Sequence, residues 1–319
     1  MNSIILRSTA GAVIILSVLS AISGGSSLSS QLGPSVNSNW YNAMIWIKNN
    51  TPQDSIVTYW WDQGHWITGI AERGAYADGA HCPPTSCKPY PLNTRIVDVG
   101  RALTTNDEKL AISILSKYMN FTDAQCELNR KAFGNIVPCK SPSEMYFLAA
   151  SDLISKYPWP SYFGSLWPTY SGQGTQQQFF QIGLQPLKDQ GGNVVGYYDQ
   201  CLRFDASNNC QTFNFLVIEQ DGKLTTIYQN RNFVRNTVYF TNSGQQTDTN
   251  ENATLEGTFW LDPSYASAFY MTPDVQNSIF TKLYFYDGKG LNNFRQVYSN
   301  GEVKIYKVDF SKGSSDKIG

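Results

Sequence analysis

Between Ser8 and Ile47 the chain carries no charge, and residues 10–22 form an almost unbroken apolar run behind Arg7. Counted from Ile4 to Ile22 the run is 19 residues, about 28 Å as a helix, just enough to cross a hydrocarbon core of about 30 Å. It reads either as a transmembrane helix or as a signal peptide with a small-residue site near Ala21–Ser23. Either way, Arg7 on its N-terminal side puts the rest of the chain outside the cytoplasm. A Gly/Ser-rich link follows. Folding begins near Asn39, where Trp40, Met44 and Ile47 fall at i, i+4 and i+7 and predict an amphipathic helix that Asn49–Pro52 stops. Ser55–Trp60, β-branched and aromatic, predicts a buried strand, and a second helix is expected to start at Gly64.

Thr105–Glu108 has the spacing of a capping box and is expected to open a helix with Leu110, Ile114 and Tyr118 on one face. Met145–Ala150 reads as another strand, running into Ser151–Lys156, where a polar residue is expected to cap a helical turn. Beyond Pro168, Gln and Asn accumulate. Phe213–Glu219 and Leu224–Tyr228 alternate about Gln220–Lys223, which signals a hairpin, whereas Thr241–Asn252 reads as a polar loop. A helix is expected from Asp274 through Leu283 and Tyr284, then strands at Val297–Tyr298 and Val303–Val308. The predicted fold class is therefore α/β, a mixed α+β core with a β-rich insertion and an N-terminal apolar helix. The expected division is 1–23 apolar segment, 24–38 linker, 39–168 central core, 169–265 β-rich insertion and 266–319 return to the core.

A net charge of -1 from 24 basic and 25 acidic residues gives no electrostatic case for a nucleic-acid partner. Hydrophobic residues at 41% exclude intrinsic disorder. Charged residues at 15% leave the surface to Asn, Gln, Ser, Thr and Tyr, as in many extracytoplasmic proteins. The six cysteines form three local pairs, Cys82 with Cys87, Cys126 with Cys139 and Cys201 with Cys210. Of the 15 possible connectivities, the short spacings favour nearest neighbours in an oxidising compartment. With two His and no Cys-x-x-Cys, no metal is expected in this chain. Asn49, Asn120 and Asn252 head Asn-x-Thr triplets, compatible with an exterior location.

The densest chemistry lies in Tyr59-Trp60-Trp61-Asp62-Gln63-Gly64-His65-Trp66. A carboxylate after two indoles at a strand end is placed to accept a hydrogen bond in an apolar frame. The competing reading is a core aromatic cluster in which Asp62 caps the helix from Gly64. Asp152 and Lys156, four apart, share a helical face, either as a surface ion pair or with Lys156 holding Asp152 against the Trp pocket. Asp62-x-x-His65 and Asp78-x-x-His81 repeat a carboxylate–imidazole step, which would suit a small metallohydrolase. Exposed Trp and Tyr would equally suit a secreted carbohydrate-binding or cell-surface module.

Trp60-Trp61-Asp62-Gln63-Gly64 resembles the Trp-Trp-Asp-x-Gly signature of the oligosaccharyltransferase catalytic subunit, which moves a lipid-linked glycan onto Asn. The preceding helix, Arg73 and Asp78, Ser151–Lys156, Tyr162–Ser165 and the closing segments Leu283–Phe285 and Val303–Tyr306 resemble the archaeal form of its C-terminal globular domain. The resemblance covers residues 39–180 and 266–310. It implies that Trp60, Trp61 and Asp62 bind the +2 Ser or Thr of an acceptor polypeptide bearing Asn-x-Ser/Thr, with Asp152 and Lys156 lining the same pocket. Two positions depart from the pattern: Gln63 stands where Tyr is usual, and Pro160 where Met or Ile is expected. The family's metal-binding carboxylates (Mn or Mg) and lipid-carrier site belong to a multispan membrane region. This chain has at most one span, so it is expected to hold no catalytic residue, to be inactive alone, and to sit on the extracytoplasmic face of the cell membrane.

Overall fold

The computed structural model describes Ser20 and residues 36–79, 92–120, 141–207, 210–220 and 222–311. In it the first sheet grows from two fully buried strands, β1 (Ile56–Thr58) and, beyond the short β2 (Gly74–Ala75), β3 (Met145–Ala150). Their largely apolar runs, with Thr58 the one polar member, are what a strand covered on both faces requires. β1 and β3 are parallel neighbours, with Val57 opposite Tyr146 and Thr58 opposite Phe147. β2 extends the sheet beside β1, again in parallel. On the other side β16 (Val303–Val308) pairs antiparallel with β3, and β15 (Phe294–Ser299) closes the edge, giving the order β15-β16-β3-β1-β2.

The helices Leu92–Thr104 and Pro158–Ser165 cross at two glycines. A Cβ on Gly100 would lie 2.7 Å from the Pro160 carbonyl oxygen, and one on Gly164 would lie 2.5 Å from the Gly100 carbonyl carbon. Beside this crossing, buried Asp98 accepts from the Tyr118 hydroxyl (2.7 Å) and the Trp167 indole (3.1 Å) and pairs with Lys117 (2.6 Å). A buried carboxylate so surrounded is satisfied, and it ties three segments together.

The helix expected near residue 105 is Glu108–Ser116, but its cap differs from the predicted box. Asp107 caps it, accepting from the amides of Lys109 and Leu110, while Glu108 turns away to accept from the Asn292 and Asn293 amides at 2.8 and 2.7 Å. That carboxylate takes two backbone amides from across the fold in place of the local one. Ser151, expected as a cap, has helical angles and no capping bond; its amide donates to the Glu302 carbonyl. The helix expected from Asp274 is two helices, Pro273–Asn277 and Ile279–Tyr286. They are broken at Ser278, whose hydroxyl accepts from the Thr281 amide.

Residues 180–271 build a second sheet from β4 (Phe180–Gly183), β5 (Gln185–Lys188), β6 (Val194–Tyr198), β9 (Phe215–Gln220), β10 (Lys223–Tyr228), β11 (Asn232–Thr241), β12 (Gly244–Thr249), β13 (Leu255–Leu261) and β14 (Ser267–Met271). Between β6 and β9, β7 (Cys201–Phe204) and β8 (Cys210–Phe213) form a separate ribbon, bridged by the Cys201–Cys210 disulfide. The order β4-β14-β13-β11-β10-β9-β6-β5 begins and ends on one continuous stretch, since β4 runs into β5 through Leu184 alone. One side of that stretch pairs with β14 and the other with β6, so the sheet closes on itself as a barrel. Ile182, Phe215, Val217, Val234, Phe259 and Leu261 fill it.

Thr241–Asn252 is thus no loop. It forms the β11–β12 hairpin, a strand hidden in the sequence because Gln245, Gln246, Thr247 and Thr249 make both of its faces polar. The second sheet also takes in Ser267–Met271, which the sequence reading placed with the return to the core. Phe285 of the helix Ile279–Tyr286 lies 5.4 Å from Phe179 and 5.0 Å from Trp260, and the Leu283 carbonyl accepts from Tyr306 on β16. That helix is therefore the seam between the two sheets. Cys82, Cys87, Cys126 and Cys139, and the N-terminal apolar segment apart from Ser20, lie outside the described residues. Among the described residues no helix is long and apolar enough to cross a membrane.

Gly164→Ala is expected to lower stability by roughly 1–3 kcal/mol, because the intruding methyl meets backbone that cannot step aside. Chemical denaturation checks this, and an unchanged midpoint would show that the helices do not cross this closely.

Candidate functional site

Parallel pairing of β1 with β3 decides the site. Thr58 sits opposite Phe147, so both strands deliver their following residues to the same sheet end, which is where open α/β sheets place ligands. After β1 the chain tightens into a 3-10 turn, Trp61–Gln63, and then the helix Gly64–Gly69. After β3 it enters the short helix Asp152–Lys156. Residues about 90 apart in sequence meet there. The Lys156 ammonium lies 2.5 Å from Asp62 Oδ2 and 2.8 Å from Asp152 Oδ2. The phenol of Tyr59 donates to Asp152 Oδ1 at 2.6 Å, and the Gln63 amide donates to Asp152 Oδ2 at 2.8 Å. Asp152 is thus held on three sides. The three charged side chains stay between 24 and 33% exposed, so the cluster is open to a ligand.

The Asp62 carboxylate is no helix cap: Gln63 occupies that position and makes no capping bond with its side chain. One oxygen of Asp62 takes the Lys156 ammonium. The other, Oδ1, is shielded from solvent with no hydrogen-bond partner, as is Gln63 Oε1. An unpaired acceptor out of water carries a cost of about 1–3 kcal/mol that any arriving donor would relieve. Burial raises the Asp62 pKa above the ordinary carboxylate value, Asp152 adds to the rise, and Lys156 offsets it only in part. Burial works against the charge on Lys156, but its bonds to Asp152 and Asp62 outweigh it and hold the ammonium above its usual value. Burial, then Asp152, pushes the Tyr59 phenol well above 10.0, so it remains a donor. Two carboxylates around one ammonium leave a net negative, acceptor-rich site. It is suited to a small neutral donor such as a hydroxyl.

The two indoles take different places. Trp60, 3% exposed, belongs to the core, its ring 6.1 Å from Phe163, and Phe163 in turn stacks on Tyr170. Trp61 is half-buried and is the indole that reaches the surface. The glycine of the motif has a packing reason. A Cβ on Gly64 would lie 2.3 Å from the Ala77 carbonyl oxygen and 2.5 Å from Asp78 Cα, so the turn after β2 rests directly on this helix. Arg73, also part of the pattern, is buried and structural: it donates to the Lys48 and Thr51 carbonyls at the end of the helix Ser38–Asn50. Pro160 is buried at the Gly100 crossing. Tyr59 and Gln63 stood in the sequence only as members of the aromatic stretch and its pattern departure, and the structure gives them the task of holding Asp152.

Among the described residues no group of three His, Cys, Asp or Glu is arranged to hold a metal ion. The carboxylates that do converge enclose an ammonium, which a cation would have to displace, so these residues do not fit a divalent metal. Of the residues in the paired Asp-x-x-His steps, His65 is exposed and His81 lies outside the described residues.

The fold is shared with a solved C-terminal globular domain. It matches the crystal structure of the C. jejuni pglb C-terminal domain at a TM-score of 0.51, with 13% identity over 84% of this chain and 98% of that one. No family model matches. By sequence the chain is a homologue of archaeal oligosaccharyltransferases. It is 26% identical over 340 residues to the dolichyl-phosphooligosaccharide-protein glycotransferase of Methanocaldococcus jannaschii, covering 88% of this chain and 35% of that protein. The enzyme of the same name from Methanococcus voltae is 23% identical over 364 residues, covering 88% and 38%. The chain thus spans little more than a third of the length of these relatives.

The Asp62 carboxyl is expected to titrate above an ordinary aspartate. Lys156→Gln should raise it further by removing the ammonium, and Asp152→Asn should lower it by removing a like charge. Carboxyl-carbon NMR across an acid titration reads all three, and an Asp62 that titrates below 3.8 would contradict the arrangement.

Proposed function

We propose that this chain is the acceptor-recognition domain of an archaeal-type oligosaccharyltransferase. It would bind the +2 Ser or Thr of an Asn-x-Ser/Thr polypeptide while other parts of the enzyme transfer a lipid-linked glycan to the Asn. The observation that carries this reading is the shielded, unpartnered oxygen of Asp62, fixed beside an ammonium at a strand end. A hydroxyl donates one proton to that oxygen and brings no charge of its own. A +2 residue without a hydroxyl leaves the oxygen unpaired, and that penalty is a source of discrimination. Trp61 limits competing water, which strengthens the bond. Lys156, held by both carboxylates, keeps Asp62 ionised and aimed, and Tyr59 and Gln63 keep Asp152 in place to hold Lys156.

On this reading the domain contributes positioning: gripping the +2 residue places the Asn two residues earlier. The divalent metal, the lipid carrier and the membrane anchorage would come from other regions of the enzyme, with this domain on the extracytoplasmic face. The local Cys201–Cys210 disulfide suits that compartment.

A photo-crosslinking Asn-x-Thr peptide is expected to label the chain near Trp60–Gly64, and an Asn-x-Ala peptide much less. Equal labelling would overturn the reading. Asp62→Asn should abolish the preference without lowering stability at neutral pH. The sign follows from the raised carboxyl: a group whose folded pKa lies above its unfolded value favours folding when protonated, and loses that contribution as pH rises through the folded value. A thermal melt recorded with the labelling separates lost binding from lost fold.

A further inference from the structure

The closed second sheet has an open end that the sequon site does not use. β4, β9 and β13 begin there, at Phe180, Phe215 and Leu255, while β6, β10 and β14 finish there, at or next to Tyr198, Tyr228 and Tyr270. Between them lies a cavity of 590 Å³, within the roughly 300–1,000 Å³ of small-molecule sites, and barrel mouths are one of the places such sites form.

Its lining divides into two kinds of surface. One is aromatic. Phe180 is 43% exposed although it belongs to a strand, its ring is 6.0 Å from Tyr270, and Tyr270 is 6.0 Å from Phe215, which lies 5.0 Å from Tyr228. The other is polar and almost uncharged: Asp199, Gln200 and Asn214 at the end of β6 and the start of β9, with Gln181 on β4. Among the described residues Asp199 is the only charged group lining the cavity, and both its oxygens are engaged, one by the Asn214 amide at 2.7 Å and one by the Phe215 amide at 2.7 Å. The carboxylate therefore braces the rim and is not a free counter-charge.

We infer that this barrel mouth is a saccharide-binding site, taking a neutral sugar whose C–H face lies on the Phe180 and Tyr270 rings and whose hydroxyls meet the amides of the rim. A cation could lie on the rings but would find the lining carboxylate already engaged and the rim amides offering it no counter-charge, and a purely apolar side chain would leave those amides unpaired. A pyranose has one apolar face and an edge of neutral donors and acceptors, which matches both kinds of lining. The site is separate from Asp62 and belongs to the part of the chain that residues 60–64 do not explain.

Saturation-transfer NMR of the full chain with glucose, N-acetylglucosamine, cellobiose and chitobiose tests the inference, with tetramethylammonium as the cationic control. At least one sugar should bind saturably. Phe180→Ala, on an exposed ring, should weaken it by about two- to tenfold, the scale of one lost ring contact. Gln200→Ala should also weaken it, and Asp62→Asn should leave it unchanged. Saturable binding of none of the four sugars, sugar binding indifferent to Phe180→Ala, or binding of tetramethylammonium alone would each overturn the proposal. Because the sequon site is read separately by peptide labelling, either assignment can fail without the other.

Discussion

One ammonium between two carboxylates organises this molecule's candidate chemistry. Lys156 reaches Asp62 and Asp152 at once because β1 and β3 are parallel and adjacent, so the residues after each strand emerge at the same end. Were the strands antiparallel, the two motifs would lie at opposite ends of the sheet. Parallel pairing needs a long crossover, and the chain supplies one between Thr58 and Met145 that includes the helices Leu92–Thr104 and Glu108–Ser116. Much of the first half of the fold can be understood as the means of placing residue 62 beside residue 156.

The cluster also shows how a site departs from the rules of a stable core. Asp98, fully buried, has three partners and no vacancy, and it reads as structure. Asp62, less buried, keeps one oxygen without a partner although Lys156 could have satisfied a carboxylate in full. Two aspartates in one domain thus differ: one is fully engaged in the fold, and the other keeps an open acceptor. The Asp62 carboxyl is raised by burial first and by the neighbouring Asp152 second.

The centre of the first sheet was legible because β1 and β3 are short, largely apolar runs of the length and composition that a covered strand requires. The same holds for Asp62 and the Asp152–Lys156 step, whose residue types and spacing carry chemistry on their face. Less legible was everything set by distant partners. Glu108 has the right spacing for a local cap and goes instead to Asn292 and Asn293, nearly 185 residues away. Gln63 looks like a plain departure from a pattern until its amide is seen on Asp152. β12 escaped because alternation is a signal only where one face is apolar, and here neither is.

Glycine carries the remaining constraint, and it bears on the site through backbone alone. Gly64 lets the turn at Ala77 and Asp78 lie against the helix that follows Asp62, and Gly100 with Gly164 lets the helix after Lys156 settle onto the core. Each of the two charged arms is therefore followed directly by a contact too close for any side chain. A methyl at either place would press on backbone that leads away from Asp62 or Lys156. The glycine of the five-residue motif is thus required by packing, as the backbone of Ala77 and Asp78 leaves no room for a side chain there.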